Sequence, residues 1–159
     1  MEDIDKVVEL DLGCRPEAAV SGPLLLATDR STFLTFNAVH KVGKWWEDAG
    51  HAVVELPHCE CVQFGYPNDE ALPGHPLYAA GVQSYGIYEV LNSSWDQRLE
   101  KQNRVAFPHA DYSGRRLRHF IIVFHDSTFE CLAGDIRLEL TREPFQQTFD
   151  RIAKRVLAE

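Results

Sequence analysis

No stretch of this chain approaches the roughly 18 consecutive apolar residues that a helix needs to cross a bilayer. The start, Met1-Glu2-Asp3-Ile4-Asp5, is acidic and has no apolar h-region, so a secretory signal is not expected and the expected location is cytoplasmic. Cysteine is sparse: Cys14, Cys59, Cys61 and Cys131 include no C-x-x-C pair, and in a reducing compartment they read as free thiols. Asn92-Ser93-Ser94 matches a glycosylation sequon, which carries no meaning without secretion. The phosphate-binding G-x-x-x-x-G-K-[ST], the dinucleotide G-x-G-x-x-G, the G-x-S-x-G elbow, the H-E-x-x-H zinc helix and the EF-hand loop are all missing. Nucleotide hydrolysis, dinucleotide redox chemistry and zinc proteolysis lose support accordingly, and no cofactor is expected. Positive charge is also short. Sixteen Lys and Arg stand against 24 Asp and Glu, a net charge of −8, which disfavours nucleic acid and anionic membrane as partners. The one basic run, Arg115-Arg116-Leu117-Arg118, is expected to be a solvated loop entering a strand.

What the chain does have is patterning. With 159 residues, 45% of them hydrophobic and 25% charged, it has the size and make-up of one domain over residues 1–159. Residues 7–12 alternate weakly and predict a first strand. Residues 24–28 and 32–36 flank Asp29-Arg30-Ser31, whose short polar side chains bond back to turn backbone, and they predict a hairpin. Trp45-Trp46 reads as an aromatic pair closing the sheet, followed by a turn-like Glu47-Asp48-Ala49-Gly50. Residues 52–64 are extended but interrupted by Pro57, which withholds a ladder donor and predicts an edge or a bulge. After a short apolar strand at 87–91, Ser94-Trp95-Asp96-Gln97 reads as a capping box opening a thinly apolar helix to about Ala106. Glu100 and Arg104 form an i,i+4 pair on that helix. Residues 135–141 continue as strand past a bend at Gly134. Pro144 then starts a helix whose Phe145, Phe149, Ile152 and Val156 make a core-facing stripe. This order predicts an α+β fold, a mainly antiparallel bent sheet of six to eight strands with a short middle helix and a C-terminal amphipathic helix. A half-open barrel is the variant.

Two segments carry candidate chemistry. Residues 118–133 predict a hairpin turning at Asp126-Ser127. Phe124 then pairs with Phe129, Ile122 with Cys131 and Phe120 with Ala133 on a core face, while Val123 pairs with Glu130 and Ile121 with Leu132 on the other. His125, Thr128 and Glu130 fall on that second side. A histidine beside a carboxylate is the smallest general acid/base unit, so His125 with Glu130 or Asp126 is the candidate catalytic group. The structural alternative is a wet sheet end in which Asp126 and Ser127 make the turn.

The other segment is 65–81, about 15 residues without periodicity and longer than most connections. It gathers Tyr66, Asn68, Asp69, His75 and Tyr78, the candidate ligand-binding residues, because long ordered loops on a rigid sheet concentrate binding groups. Pro67, Pro73 and Pro76 predict an ordered loop, with His75 directed at other polar groups. Pro57-His58-Cys59-Glu60-Cys61 offers zinc-ligand types, but on a strand Cys59 and Cys61 face opposite to His58, so no metal site is expected. The expected function is binding, to a protein partner or small-molecule ligand, through the 65–81 loop and the polar hairpin end. A small enzyme using His125, helped by His75, is the alternative.

Overall fold

Alternation along the strands sorts the apolar side chains onto two sheets. In the computed structural model, which describes residues 4–114 and 117–159, the chain runs β1 (Lys6–Glu9), β2 (Arg15–Pro16), β3 (Leu24–Ala27), β4 (Thr32–Val42), β5 (Trp45–Glu55), β6 (Cys61–Gly65) and β7 (Ile87–Leu91). It continues through α1 (Ser94–Ala106), β8 (Arg118–Val123), β9 (Thr128–Ala133), β10 (Arg137–Thr141) and α2 (Phe145–Leu157). The first sheet has the order β1-β7-β8-β9-β6. The second has β10-β5-β4, with β2 and β3 both pairing the far side of β4. Every pairing is antiparallel and neither sheet closes into a barrel. Leu34, Phe36, Ala52 and Val54 from the second sheet meet Ile87, Phe120, Ile122, Phe129 and Cys131 from the first in one buried cluster. Phe36 and Phe124 touch edge to face across it, with ring centroids 5.3 Å apart.

The α+β, antiparallel architecture is the one expected, but among the described residues the bent sheet is two sheets and its six to eight strands are ten. Part of the reason lies at Pro57. This residue ends the second sheet's ladder, His58 takes φ 52°, and the chain enters the first sheet at Cys61. The run 52–64 is therefore two strands of different sheets rather than one bulged strand. The chain switches back at Gly134, whose N–H donates to the Pro57 carbonyl at 2.8 Å. A Cβ on Gly134 would come within 3.3 Å of both that oxygen and His58 Cβ, so the two switch points lean on one another.

The turn-like residues 47–50 are also strand. The real turn is Gly43-Lys44, with Gly43 at φ 60°, as a two-residue hairpin loop requires. The polar stretch serves a bulge instead: Ala38 pairs with Gly50 and Val39 with Asp48, which leaves Ala49 as the extra residue. Trp45 is exposed at the hairpin end, and the Arg15 guanidinium lies 3.5 Å from the Trp46 ring centroid.

The 24–36 hairpin forms as expected, with Ala27 opposite Thr32. α1 is capped one residue earlier than expected: the Ser93 hydroxyl, not that of Ser94, accepts from the Asp96 amide at 3.2 Å. The Glu100–Arg104 pair is present at 2.6 Å. α2 lays Ile152 and Val156 on Phe33, Val53 and Leu26, the outer face of the second sheet. Of the basic run, Arg115 and Arg116 lie outside the described residues, while Arg118 opens β8 and donates to both oxygens of Glu89 at 2.8 Å.

Candidate functional site

The outer face of the first sheet holds the polar groups, and the β8–β9 register decides which of them meet. Ile122 lies opposite Phe129, Phe120 opposite Cys131 and Ile121 opposite Glu130, two residues away from the expected pairing. The slip arises because the turn centres on His125-Asp126, with the Phe124 N–H donating to the Ser127 carbonyl at 2.8 Å. A shift of two keeps every side chain on its expected face. Phe120, Ile122, Phe124, Phe129 and Cys131 are fully buried on the core side, and Glu130 and Thr128 are on the other.

His125, however, sits at the apex and leaves that face. The expected catalytic group divides. His125 Nδ1 donates to Asp69 Oδ2 at 2.9 Å and makes no bond with Glu130. Asp126 is 92% exposed and lies 3.9 Å from His125 Nε2. Glu130 is paired elsewhere.

Its partners are His75 from the loop and His119 from β8, a diagonal neighbour across the ladder. His75 Nε2 lies 3.1 Å from Glu130 Oε2, and His119 Nε2 lies 3.1 Å from Oε1. The second nitrogens are partnered as well. The Leu77 amide donates to His75 Nδ1 at 3.0 Å, so His75 carries its hydrogen on Nε2 and donates it to the carboxylate. His119 Nδ1 lies 2.8 Å from Ser93 Oγ, and that oxygen already accepts from the Asp96 amide. The Ser93 hydroxyl can donate to His119 Nδ1 or accept from it, and in either case His119 donates from Nε2 to the carboxylate. Each Glu130 oxygen thus accepts from one imidazole, and each Nδ1 has a partner of its own. The three side chains are 12%, 4% and 3% exposed for Glu130, His75 and His119. Burial raises the Glu130 carboxyl, but donation from His119 and His75 outweighs it and brings the value down from 4.5 to about 2.

The 65–81 segment is ordered in two 3₁₀ turns, Leu72–Gly74 and Tyr78–Ala80, with His75 between them. Leu72 and Val82 are buried against Tyr88, Val90, Ile121 and Val123. The near end is fastened to the hairpin. The Asp69 amide donates to the His125 carbonyl at 2.9 Å, Thr128 Oγ1 donates to the Pro67 carbonyl at 2.9 Å, and the Tyr85 hydroxyl donates to Asp69 Oδ2 at 2.6 Å. The Tyr85 and His125 donors hold the Asp69 carboxyl below its usual range, the tyrosine contributing more. The same bond pushes the Tyr85 phenol up to about 12.

Between the loop, the sheet and α1 lies a cavity of about 540 Å³. Glu130, His75 and His119 line it, with Gln63 from β6 beside Glu130, and Tyr66, Pro76, Leu77, Trp95 and Arg98 form much of the wall. The indole of Trp95 meets His119 edge-on at 5.2 Å.

Of the expected ligand-binding residues, His75 and Tyr66 line this cavity. Asn68 accepts from the Ala71 amide at 2.9 Å, Asp69 belongs to the clasp, and Tyr78 is exposed outside it. His119, Ser93, Trp95, Arg98 and Gln63 lie outside the residues that the sequence marks for binding or catalysis. His119 was findable: it shares parity with Ile121 and Val123, on the face already assigned to Glu130.

The order Ser93–His119–Glu130 is that of a nucleophilic triad. Yet Ser93 caps α1 and lines a separate groove with Glu89 and Arg118 rather than the cavity. Near the sheet switch, the Cys59 thiol is lowered to about 7, chiefly by a hydrogen bond with Cys131, while burial pushes Cys131 well up. Among the described residues no group of three or more His, Cys, Asp or Glu side chains is placed to hold a metal ion. Among them, too, no helix is long and apolar enough to cross a membrane. No family model, no curated protein and no solved structure matches this chain.

Proposed function

We propose that the protein binds a small molecule in the cavity over the first sheet, and that the 65–81 segment is the element that shapes the site. The observation that carries this reading is the convergence of that segment, β8, β9 and α1 on one 540 Å³ space floored by a part-buried carboxylate. Small-molecule sites have volumes of roughly 300–1,000 Å³, mostly apolar walls and a few fixed polar groups. Here His75 and His119 fix the Glu130 carboxylate in place before any ligand arrives, which lowers the ordering cost of binding.

The rival reading, a small acid/base enzyme working through His125, has less support. Neither His125 nor its carboxylate partner Asp69 lines the cavity, and Asp126 points to solvent.

The test is to fill the cavity without touching its charges. Gly74 lines the space, its φ is outside the left-handed region, and a Cβ there would meet nothing within 4 Å. Fragments that shift the Trp95 indole N–H resonance of the wild type should leave Gly74→Phe unshifted, with the thermal midpoint preserved. A fragment library that moves no cavity resonance of the wild type would refute the reading.

A further inference from the structure

The cavity has opposite charges at two places. Its floor carries the ionised Glu130, whose two imidazole partners occupy only two of roughly four acceptor positions on a carboxylate. The histidine donors hold the Glu130 carboxyl well below its usual range, so the floor carries an ionised group, and Asp5 on the wall adds a second carboxyl on that side. Arg98 also lines the cavity, three residues beyond Trp95 and so on the same side of α1.

Arg98 stands apart from the other described arginines. Arg30, Arg104, Arg118, Arg137, Arg142, Arg151 and Arg155 each bond or pair with an oxygen, and Arg15 stacks on Trp46. Arg98 alone among them has no partner, in a chain where acidic residues outnumber basic ones 24 to 16. A guanidinium presents a planar fork of donors matched to a carboxylate. Left open beside a cavity, that fork is a receptor for one.

We infer that the ligand is amphoteric, of the amino acid or short-peptide class: its amine meets Glu130 at the floor, its carboxylate meets Arg98, and its apolar body lies along Trp95 and Leu77. This rests on the cavity-binding reading above. A ligand bearing only negative charge would confront Glu130 and Asp5 in a space partly screened from water, where like charges repel more strongly. A ligand bearing only positive charge would leave Arg98 unanswered. A dianionic phosphate suits the floor worse than a monoanionic carboxylate.

Four probes sharing one indole body separate these cases: tryptophan and the dipeptide Gly-Trp, which differ in the spacing of amine and carboxylate, tryptamine, and indole-3-propionate. Each is titrated against the intact protein, and Kd is read from the Trp95 indole N–H shift. Tryptophan or Gly-Trp should bind at least about tenfold tighter than tryptamine and indole-3-propionate, which corresponds to about 1.4 kcal/mol. Arg98→Ala, an exposed change that leaves the buried network intact, should erase that advantage and leave tryptamine bound as well as before. Retention of the advantage in Arg98→Ala overturns the inference. Equal binding of all four probes overturns it too while leaving the cavity reading intact. If none of the four shifts a cavity resonance, this inference fails, and the fragment screen on the wild type then decides the cavity reading independently.

Discussion

Each sheet turns one face away from the shared core, and the chain covers the two faces differently. On the second sheet, α2 sets Ile152 and Val156 onto Phe33, Val53 and Leu26, and its charged residues pair around the margin, Arg155 with Glu55 at 2.6 Å and Arg151 with Glu143 at 2.7 Å. On the first sheet the cover is the irregular 65–81 segment, which touches at separate points: Leu72, His75 and the clasp at Asp69. A helix repeats its apolar positions every turn, so its contact with a sheet is more continuous, and the space beside α2, lined by Phe33, Val53, Ile152 and Arg155, is about 260 Å³, half that over the first sheet. A segment without a repeat can set down isolated contacts and leave a gap between them. Here the gap is the cavity, and its floor is where the sheet's outer face changes from apolar to polar.

The comparison breaks most directly at Leu72. Its side chain is 1% exposed among Val82, Tyr88, Ile121 and Val123, so Leu72→Ala should cost about 2–5 kcal/mol in urea unfolding, the usual range for emptying a core leucine site. Ile152→Ala under α2 should fall in the same range. A loss below about 1 kcal/mol at Leu72 beside a full loss at Ile152 would make the segment a loosely laid flap, and the cavity would cease to be a fixed feature.

The next effect separates the covers by pH. Glu130 is lowered from 4.5 to about 2 on folding. A carboxyl depressed in the folded state stabilises the fold above its unfolded value, and that stability is lost as the pH falls through the folded one. The loss therefore runs from about pH 5 down to pH 2 and amounts to about 3 kcal/mol. Glu130→Gln keeps the shape and should remove most of this acid slope. Under α2, Glu143 is also lowered, first by its hydrogen bond with Arg151, but it is half-buried at the margin, more open to water than Glu130. Glu143→Gln should leave the slope unchanged, since water and salt screen such surface pairs. Equal slopes for the two variants would mean that the Glu130 network is as open to water as the margin of α2.

How much of this was legible follows from what period-two patterns encode. Alternation along 118–133 placed every strand residue on its correct face, even with the register two residues off, because face depends on parity alone. The stripe Phe145, Phe149, Ile152 and Val156 announced a helix on a sheet from its spacing, although only Ile152 and Val156 join the buried cluster and Phe145 stays exposed, edge-on to His51. Pro57 marks an interruption, yet a local signal cannot say that the strands on either side of it belong to different sheets. Glu47-Asp48-Ala49-Gly50 has turn chemistry, and a bulge uses the same residue types. His75 was expected to face polar groups and does. That its partner is Glu130, 55 residues away, and that His119 closes the other side, depends on how the loop lies over the sheet, which no spacing in the sequence records.

The smallest effect tests the clasp at the loop's near end. Tyr85, at φ 62°, donates to Asp69 Oδ2, which also accepts from His125. Tyr85→Phe removes one donor and leaves His125 and the backbone bond from the Asp69 amide in place. Because the clasp lies at the wet margin, as the α2 ion pairs do, its loss should leave the global unfolding midpoint unchanged. It should show locally instead. Hydrogen exchange followed by mass spectrometry should speed up in peptides covering 66–81 and stay constant over α2, since opening the segment needs only local unfolding, whereas exposing α2 amides does not pass through the clasp. Unchanged exchange over 66–81 would mean that Leu72 and His75 alone hold the cover, and the cavity would then owe its shape to two contacts rather than three. A fall in the global midpoint as large as that of Leu72→Ala would instead put the clasp on a par with the buried contacts, against the contrast between margin and interior that both sheets otherwise share.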